Sequence, residues 1–166
     1  MRTPIRKAGK YNRTKMDPHL SLTRYKSLKS KIKRLKAFNQ PQIIKEVKLL
    51  AQDGDFSDNA AYSIAKGRLR GLNQYIAETE DLLRRAIIIE PSTSSKVVKI
   101  GSQVKLEVNK KIKAYQILGP SEADPAHGII SYQSPLAKAL IDQKLGATIE
   151  LKNKNKTIYY KIIEIL

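Results

Sequence analysis

An antiparallel helical hairpin followed by a small α+β domain is the fold class this sequence predicts, and three observations lead to it. Apolar residues recur at three- and four-residue steps between Leu22 and Ala86, with one interruption around Gly54. Short alternating apolar runs, bounded by Gly, Asn or Pro, fill the chain from residue 96 onward. A polar stretch, residues 91–96, separates the two patterns and reads as a linker.

The first nineteen residues carry Pro4, Gly9, Pro18 and dense basic charge without apolar periodicity, so 1–19 reads as a flexible basic arm that orders only on a partner. The hairpin is expected over 20–90. Its first arm is marked by Leu22, Tyr25, Leu28, Ile32 and Leu35, continued by Ile43, Val47 and Leu50. The step from Leu35 to Ile43 is one residue more than a heptad and contains Pro41, which predicts a kink or a fresh helix start with Pro41 in a first turn. Gly54 ends this arm. In the second arm Ala65, Leu69, Leu72, Ile76, Thr79, Leu83 and Ala86 alternate four- and three-residue steps, which is a coiled-coil seam. Some thirty residues from Ser57 to Ala86 would span roughly 45 Å at about 1.5 Å each. A rod this thin encloses no pocket, so its chemistry must lie on its side or at its tip.

The remainder, 97–166, contains the runs "KVVKI", "QVKLEV", "AYQIL", "GIISY", "ATIEL" and "TIYYKIIEIL". Between the fourth and fifth lies "SPLAKALIDQKLG", where Ser134 suits an N-cap, Pro135 a first helical turn, and Gly146 the position just past the end. One short helix on an antiparallel sheet is expected.

Composition limits the chemistry. The absence of cysteine excludes disulfides, thiolate metal sites and a cysteine nucleophile, and two histidines make a histidine-built centre improbable. No run approaches the ~18 apolar residues of a membrane span, and the basic N-terminus has no apolar signal segment, so a cytoplasmic protein with no membrane partner is expected. The net charge of +17 implies attraction to polyanions, nucleic acid above all. That charge is uneven: residues 1–48 hold fifteen Lys or Arg against Asp17 and Glu46.

Against that background "LLAQDGDFSDNAAY" gathers Asp53, Asp55 and Asp58, with no basic residue between Lys48 and Lys66. One reading is local: Gly54 closes a helix, Asp55 or Ser57 caps the next, and the acids favour the positive end of its dipole. The other is functional. Asp55 and Asp58 can present two carboxylates on one side of the tip, hard oxygen ligands suited to completing a Mg²⁺ site supplied largely by another molecule. Capping leaves Asp53 and the missing counter-charge without a reason.

"GDFSDNAAY" resembles the tip motif of the bacterial Gre transcript cleavage factors. "QPQIIKEV", "EDLLRRAIIIEP" and "GPSEADPAHGIISYQSPLAKALIDQKLGATIEL" extend the resemblance over about Leu20 to Leu166 in the same order of parts. The resemblance implies a coiled-coil hairpin that enters the secondary channel of RNA polymerase and an FKBP-like C-terminal domain that docks at the channel rim. It further implies that Asp55 and Asp58 help to hold a second Mg²⁺, shared with the polymerase, so that the polymerase cuts its own backtracked transcript and the factor is not itself an enzyme. Asp58 stands where these factors usually have Glu.

Lys66 and Arg70 share one helical face. They are either an ordinary solvated face or, as the resemblance implies for Lys66 and helical geometry adds for Arg70, a patch on the extruded RNA 3′ segment. Ser134 and Pro135 match the family's polymerase-docking segment and also suit helix capping; both roles can hold together. A monomer is expected. Two rivals accompany this reading: a non-catalytic channel binder that inhibits the polymerase, and a general RNA-binding protein, which gives no reason for the acidic tip.

Overall fold

The computed structural model describes residues 16–52, 60–91, 96–153 and 156–166. A short strand β1 (His19–Ser21) leads into helix α1 (Leu22–Arg34). Ser21 caps α1, its Oγ accepting from the Arg24 N–H at 3.1 Å. Leu28 and Ile32 face inward. Leu22, placed by its spacing on the same stripe, is instead exposed in the first turn, and the fully buried Leu20 of β1 takes the core position.

A π-helical segment, Leu35–Asn39, joins α1 to α2 (Gln40–Leu50), with Pro41 in the first turn of α2. The Gln40 N–H reaches back five residues to the Leu35 carbonyl. The wide turn absorbs one extra residue, so the eight-residue step from Leu35 returns Ile43 to the same half-buried face. The interruption expected at Pro41 is therefore a bulge in a helix that carries on.

Helix α3 (Ala60–Arg84) runs back along both. Its direction is visible in the pairs that bridge the two arms. Lys36 meets Glu80 at 2.5 Å, Gln40 meets Asn73 at 2.8 Å, and Glu46 meets Arg68 at 3.1 Å, partner numbers falling as their own rise. The 25 described residues of α3 span about 38 Å, and the expected start of this arm at Ser57 lies outside the described residues. Ala65, Ile76, Thr79 and Leu82 are buried in it. The seam follows the expected positions from Ala65 to Thr79; beyond it Leu82 is buried with Leu20 and Leu28, and the expected Leu83 and Ala86 pack, partly buried, against that cluster. Ala86 lies beyond the helix end, because the chain there turns into a strand.

That strand, β2 (Ile87–Ile89), pairs in parallel with β1: His19 opposite Ile87, Leu20 opposite Ile88, Ser21 opposite Ile89. This two-stranded ribbon closes the base of the helical region. It was not expected from sequence, and it draws residues 16–19, assigned there to the basic arm, into the fold.

The second region is built on a five-stranded sheet of β3 (Gln103–Val108), β4 (Lys111–Leu118), β5 (Ile129–Ser131), β6 (Thr148–Asn153) and β7 (Lys156–Ile165), in the order β5-β4-β3-β7-β6. The sheet is mixed, because β5 runs parallel to β4, whereas an antiparallel sheet was expected. "KVVKI" forms no strand and only Val97 makes an isolated bridge, to Lys144; Val98 is nevertheless fully buried in the core with Val104, Leu106, Ile117, Leu140 and Ile162. Helix α4 (Pro135–Leu140) starts where predicted but stops six residues before Gly146, as the chain leaves helical geometry at Ile141 and turns left-handed at Asp142.

Two glycines let the ribbon lie flat on this region. A Cβ on Gly119 would come within 2.2 Å of the His19 carbonyl oxygen, and one on Gly101 within 2.4 Å of the Glu90 carbonyl oxygen. Only a residue without a side chain permits such close backbone approach.

Candidate functional site

Of the three surfaces predicted from the sequence, one lies outside the described residues, one on α3 and one on α4. Asp53, Asp55 and Asp58 fall within 53–59, outside the described residues; α2 ends at Leu50 and α3 begins at Ala60, so the acidic segment connects their far ends. Among the described residues no group of three or more His, Asp or Glu is placed to hold a metal ion. Two carboxylates are too few to enclose Mg²⁺, a donor set that fits an ion held mainly by another molecule.

Lys66 and Arg70 lie on the first turns of α3 and are both exposed. The Lys66 ammonium sits 5.4 Å from the Tyr62 ring centroid, close enough for a cation–π attraction that leaves its charge on the surface. Arg70 makes no hydrogen bond or ion pair among the described residues. Arg68 differs, its guanidinium being engaged by Glu46 on α2 at 3.1 and 3.3 Å. Gly67 and Gly71, on the outward side next to the two cations, have nothing within 4 Å of a built Cβ. They leave the helix backbone bare beside the charges.

Ser134 and Pro135 sit at the opposite end. The Ser134 Oγ accepts from the Ala137 N–H at 3.2 Å, and Pro135 occupies the first helical position, where its missing N–H costs nothing. Pro135 is exposed while Ser134 is half-buried. Capping, one of the two readings from sequence, is thus present, and it leaves the Pro135 ring on the surface.

The neighbouring residues could not be found from sequence. The Asp17 carboxylate gathers four hydrogen bonds: from the His19 N–H at 2.9 Å, the His19 ring at 2.9 Å, the Tyr132 hydroxyl at 2.5 Å and the Gln133 amide at 2.8 Å. Burial pushes this carboxyl up, but the hydrogen bonds from Tyr132 and His19 outweigh it and hold the group below its ordinary value. The same bond pushes the Tyr132 hydroxyl up. On the other side of the ribbon Ser21 donates both its N–H, at 2.7 Å, and its hydroxyl, at 2.5 Å, to Glu122. The segment matched to docking is therefore tied, through Gln133 and Tyr132, to the chain that enters α1.

Two opposed helical arms, with exposed Lys66 and Arg70 on the second and a mixed-sheet region at their base, make a two-part chain whose extended helical region offers surfaces to a partner. The family comparisons make this specific. Residues 19–88 match the family described as "Transcription elongation factor, N-terminal", and residues 93–166 match "Transcription elongation factor, GreA/GreB, C-term". The chain belongs to the GreA/GreB transcription elongation factor family. It is 37% identical over 141 residues to transcription elongation factor GreA of Mesoplasma florum, covering 83% of this chain and 90% of that protein. It is 39% identical over 139 residues to GreA of Mycoplasma mycoides subsp. mycoides, covering 81% and 87%. The crystal structure of GreA factor homolog 1 of Thermus thermophilus is 25% identical and covers 89% of this chain and 97% of that one at a TM-score of 0.40, too low to bear on the fold.

Proposed function

We propose that this elongation factor inserts its helical arms, as a coiled-coil hairpin, into the secondary channel of RNA polymerase and stimulates cleavage of backtracked transcripts. The observation that supports the proposal is that Asp55 and Asp58 lie in the sequence between the end of α2 at Leu50 and the start of the opposed α3 at Ala60, in a chain of this family. Hairpin 20–90 reaches inward, linker 91–96 follows, and the FKBP-like region 97–166 remains outside, docking through Ser134 and Pro135.

A Mg²⁺ shared with the polymerase would supply charge stabilisation for phosphodiester cleavage. The chain's own contribution is negative charge at a fixed reach. Asp55 and Asp58 hold acceptor oxygens toward the ion, and Lys66 and Arg70 hold the extruded RNA 3′ segment by its phosphates, which positions it without reading sequence. The scissile chemistry belongs to the polymerase, so the factor is not itself an enzyme. It works as a monomer, in the cytoplasm where its polymerase is. Among the described residues no helix is long and apolar enough to cross a membrane.

The test is direct. A stalled, backtracked elongation complex with Mg²⁺ should yield shortened RNA when the protein is added. Slowed nucleotide addition without shortened RNA would support a non-catalytic channel inhibitor instead.

A further inference from the structure

Burial along the helical arms is uneven. At their base Leu20, Leu28, Ile32, Ile76, Thr79 and Leu82 are buried, and the β1–β2 ribbon packs against α1 as a further element. Past that level Ala65 is the one buried residue among those described in either arm, and neither the π segment nor α2 buries any. Ile43, Val47, Leu50, Leu69 and Leu72 are half-buried there, while Phe38, Leu49 and Ile64 stand exposed. The Lys36–Glu80 and Gln40–Asn73 contacts set the π segment level with residues 73–80 of α3. The first arm therefore departs from α-helical hydrogen bonding where the second arm's cluster of buried residues ends.

Local features weaken this distal half further. Helix α2 has 11 residues, below the ~12–15 under which an isolated helix is marginal in water, so it depends on α3. In the facing stretch α3 carries Gly67 and Gly71, each with the entropic penalty of an interior glycine and no packing return, since a built Cβ meets nothing within 4 Å. The polar contacts between the arms at this level, Gln40–Asn73 and Glu46–Arg68, are exposed, where such pairs add little.

We propose that the arms comprise two cooperative units: a base of β1, β2, α1 and residues 76–84, and a distal unit of α2 with residues 60–75, which opens while the base and the sheet region stay folded. Stretches with few buried apolar contacts open at lower free energy than the core they adjoin. Asp55 and Asp58 lie in the sequence between α2 and α3, so a closed distal unit is what fixes their reach. On the reading given above, in which the arms enter a channel of RNA polymerase, the channel wall excludes the opened form and holds this unit shut.

Hydrogen–deuterium exchange of the full chain, followed peptide by peptide, tests the division. Amides of α2 and of residues 64–75 should show opening constants at least about tenfold larger than those of residues 28–34 and 76–82. Gly67→Ala with Gly71→Ala should slow exchange about five- to thirtyfold in α3 up to residue 75 and equally in α2, which neither substitution touches, and leave the base unchanged. Slowing confined to α3, or shared by the base, would overturn the proposal, as would equal opening constants in the two units. Saturation with RNA polymerase should slow the distal amides by at least about a further tenfold. A stable complex with unchanged distal exchange would also overturn the proposal. Protection gained on the polymerase without any shortening of a backtracked transcript would support the two units while counting against the cleavage reading.

Discussion

The Asp17 carboxylate and the Tyr132 hydroxyl meet at 2.5 Å across a separation of 115 residues. With Gln133 on the same oxygen and His19 on the other, this contact fixes the entry of α1 against the segment that carries Ser134 and Pro135. The angle at which the arms leave the sheet region is set here and by the Ser21–Glu122 pair, and not by the 91–96 linker alone.

Removing the acceptor charge should loosen that junction. Tyr132→Phe should cost about 1.5–3 kcal/mol, as for a hydrogen bond to a charged partner, and Asp17→Asn should cost at least as much. Because the Asp17 pKa is lowered in the folded chain, its contribution is present above the unfolded value near 3.8 and lost as pH falls through the folded value. Urea unfolding of wild type and Asp17→Asn should therefore differ by a constant amount near neutrality and converge as pH drops below about 3.8. A gap independent of pH down to full acid unfolding would remove the carboxylate from the account.

Gly67 and Gly71 weaken α3 for no packing reason. Gly67→Ala and Gly71→Ala should each stabilise the helix by about 0.5–1 kcal/mol, read as a rise in Tm, since a Cβ meets nothing there. If the bare backbone serves approach of RNA or the channel wall, the stabilised variants should cleave backtracked transcripts less well than wild type.

Among the described residues Lys66 and Arg70 have no carboxylate partner, whereas Arg68 is engaged by Glu46. Lys66→Ala with Arg70→Ala should therefore reduce cleavage most in complexes with longer extruded RNA and lessen its salt dependence. Arg68→Ala should have a smaller effect on cleavage and change stability by no more than about 1 kcal/mol, being an exposed pair. Equal losses at every backtracking distance would argue against RNA contact.

Docking through α4 separates from capping by substitution. Ser134→Asp keeps a capping oxygen, so the sheet region should stay folded, while Pro135→Ala removes an exposed ring that nothing in the fold requires. Both together should lower polymerase affinity; unchanged affinity would place docking on another surface.

Long periodic segments were legible in the sequence and short non-local ones were not. The α3 seam from Ala65 to Thr79 and the N-cap at Ser134 follow from local spacing and local chemistry, which the chain carries wherever it sits. The eight-residue step at Pro41 announced a distortion but not that a π turn would absorb it. The β1–β2 ribbon was missed because each strand has three residues and is held by a partner some seventy positions away. The Ile87–Ile89 run, β-branched throughout, was the available signal. The Asp17 cluster has none: His19, Tyr132 and Gln133 become its partners only once the ribbon brings residues 16–21 onto the second region. The β5 run was itself expected from "GIISY"; its parallel pairing with β4 was not, because that depends on the connection between Leu118 and Ile129.

The central proposal is that the acidic segment with Asp55 and Asp58 lends charge to the polymerase's catalytic centre, and cleavage of a backtracked transcript by variants of these two residues tests it most directly. Asp55→Asn and Asp58→Asn retain oxygens able to cap a helix, so folding and polymerase binding should persist while RNA shortening falls by at least about a hundredfold, the loss expected when a charge-stabilising group is removed. Asp58→Glu, which extends the carboxylate by one methylene, should match or exceed wild type. If the Asn variants shorten the transcript as fast as wild type, or if wild type only slows nucleotide addition and the Asn variants relieve that slowing, the tip does not act by supplying carboxylates for cleavage.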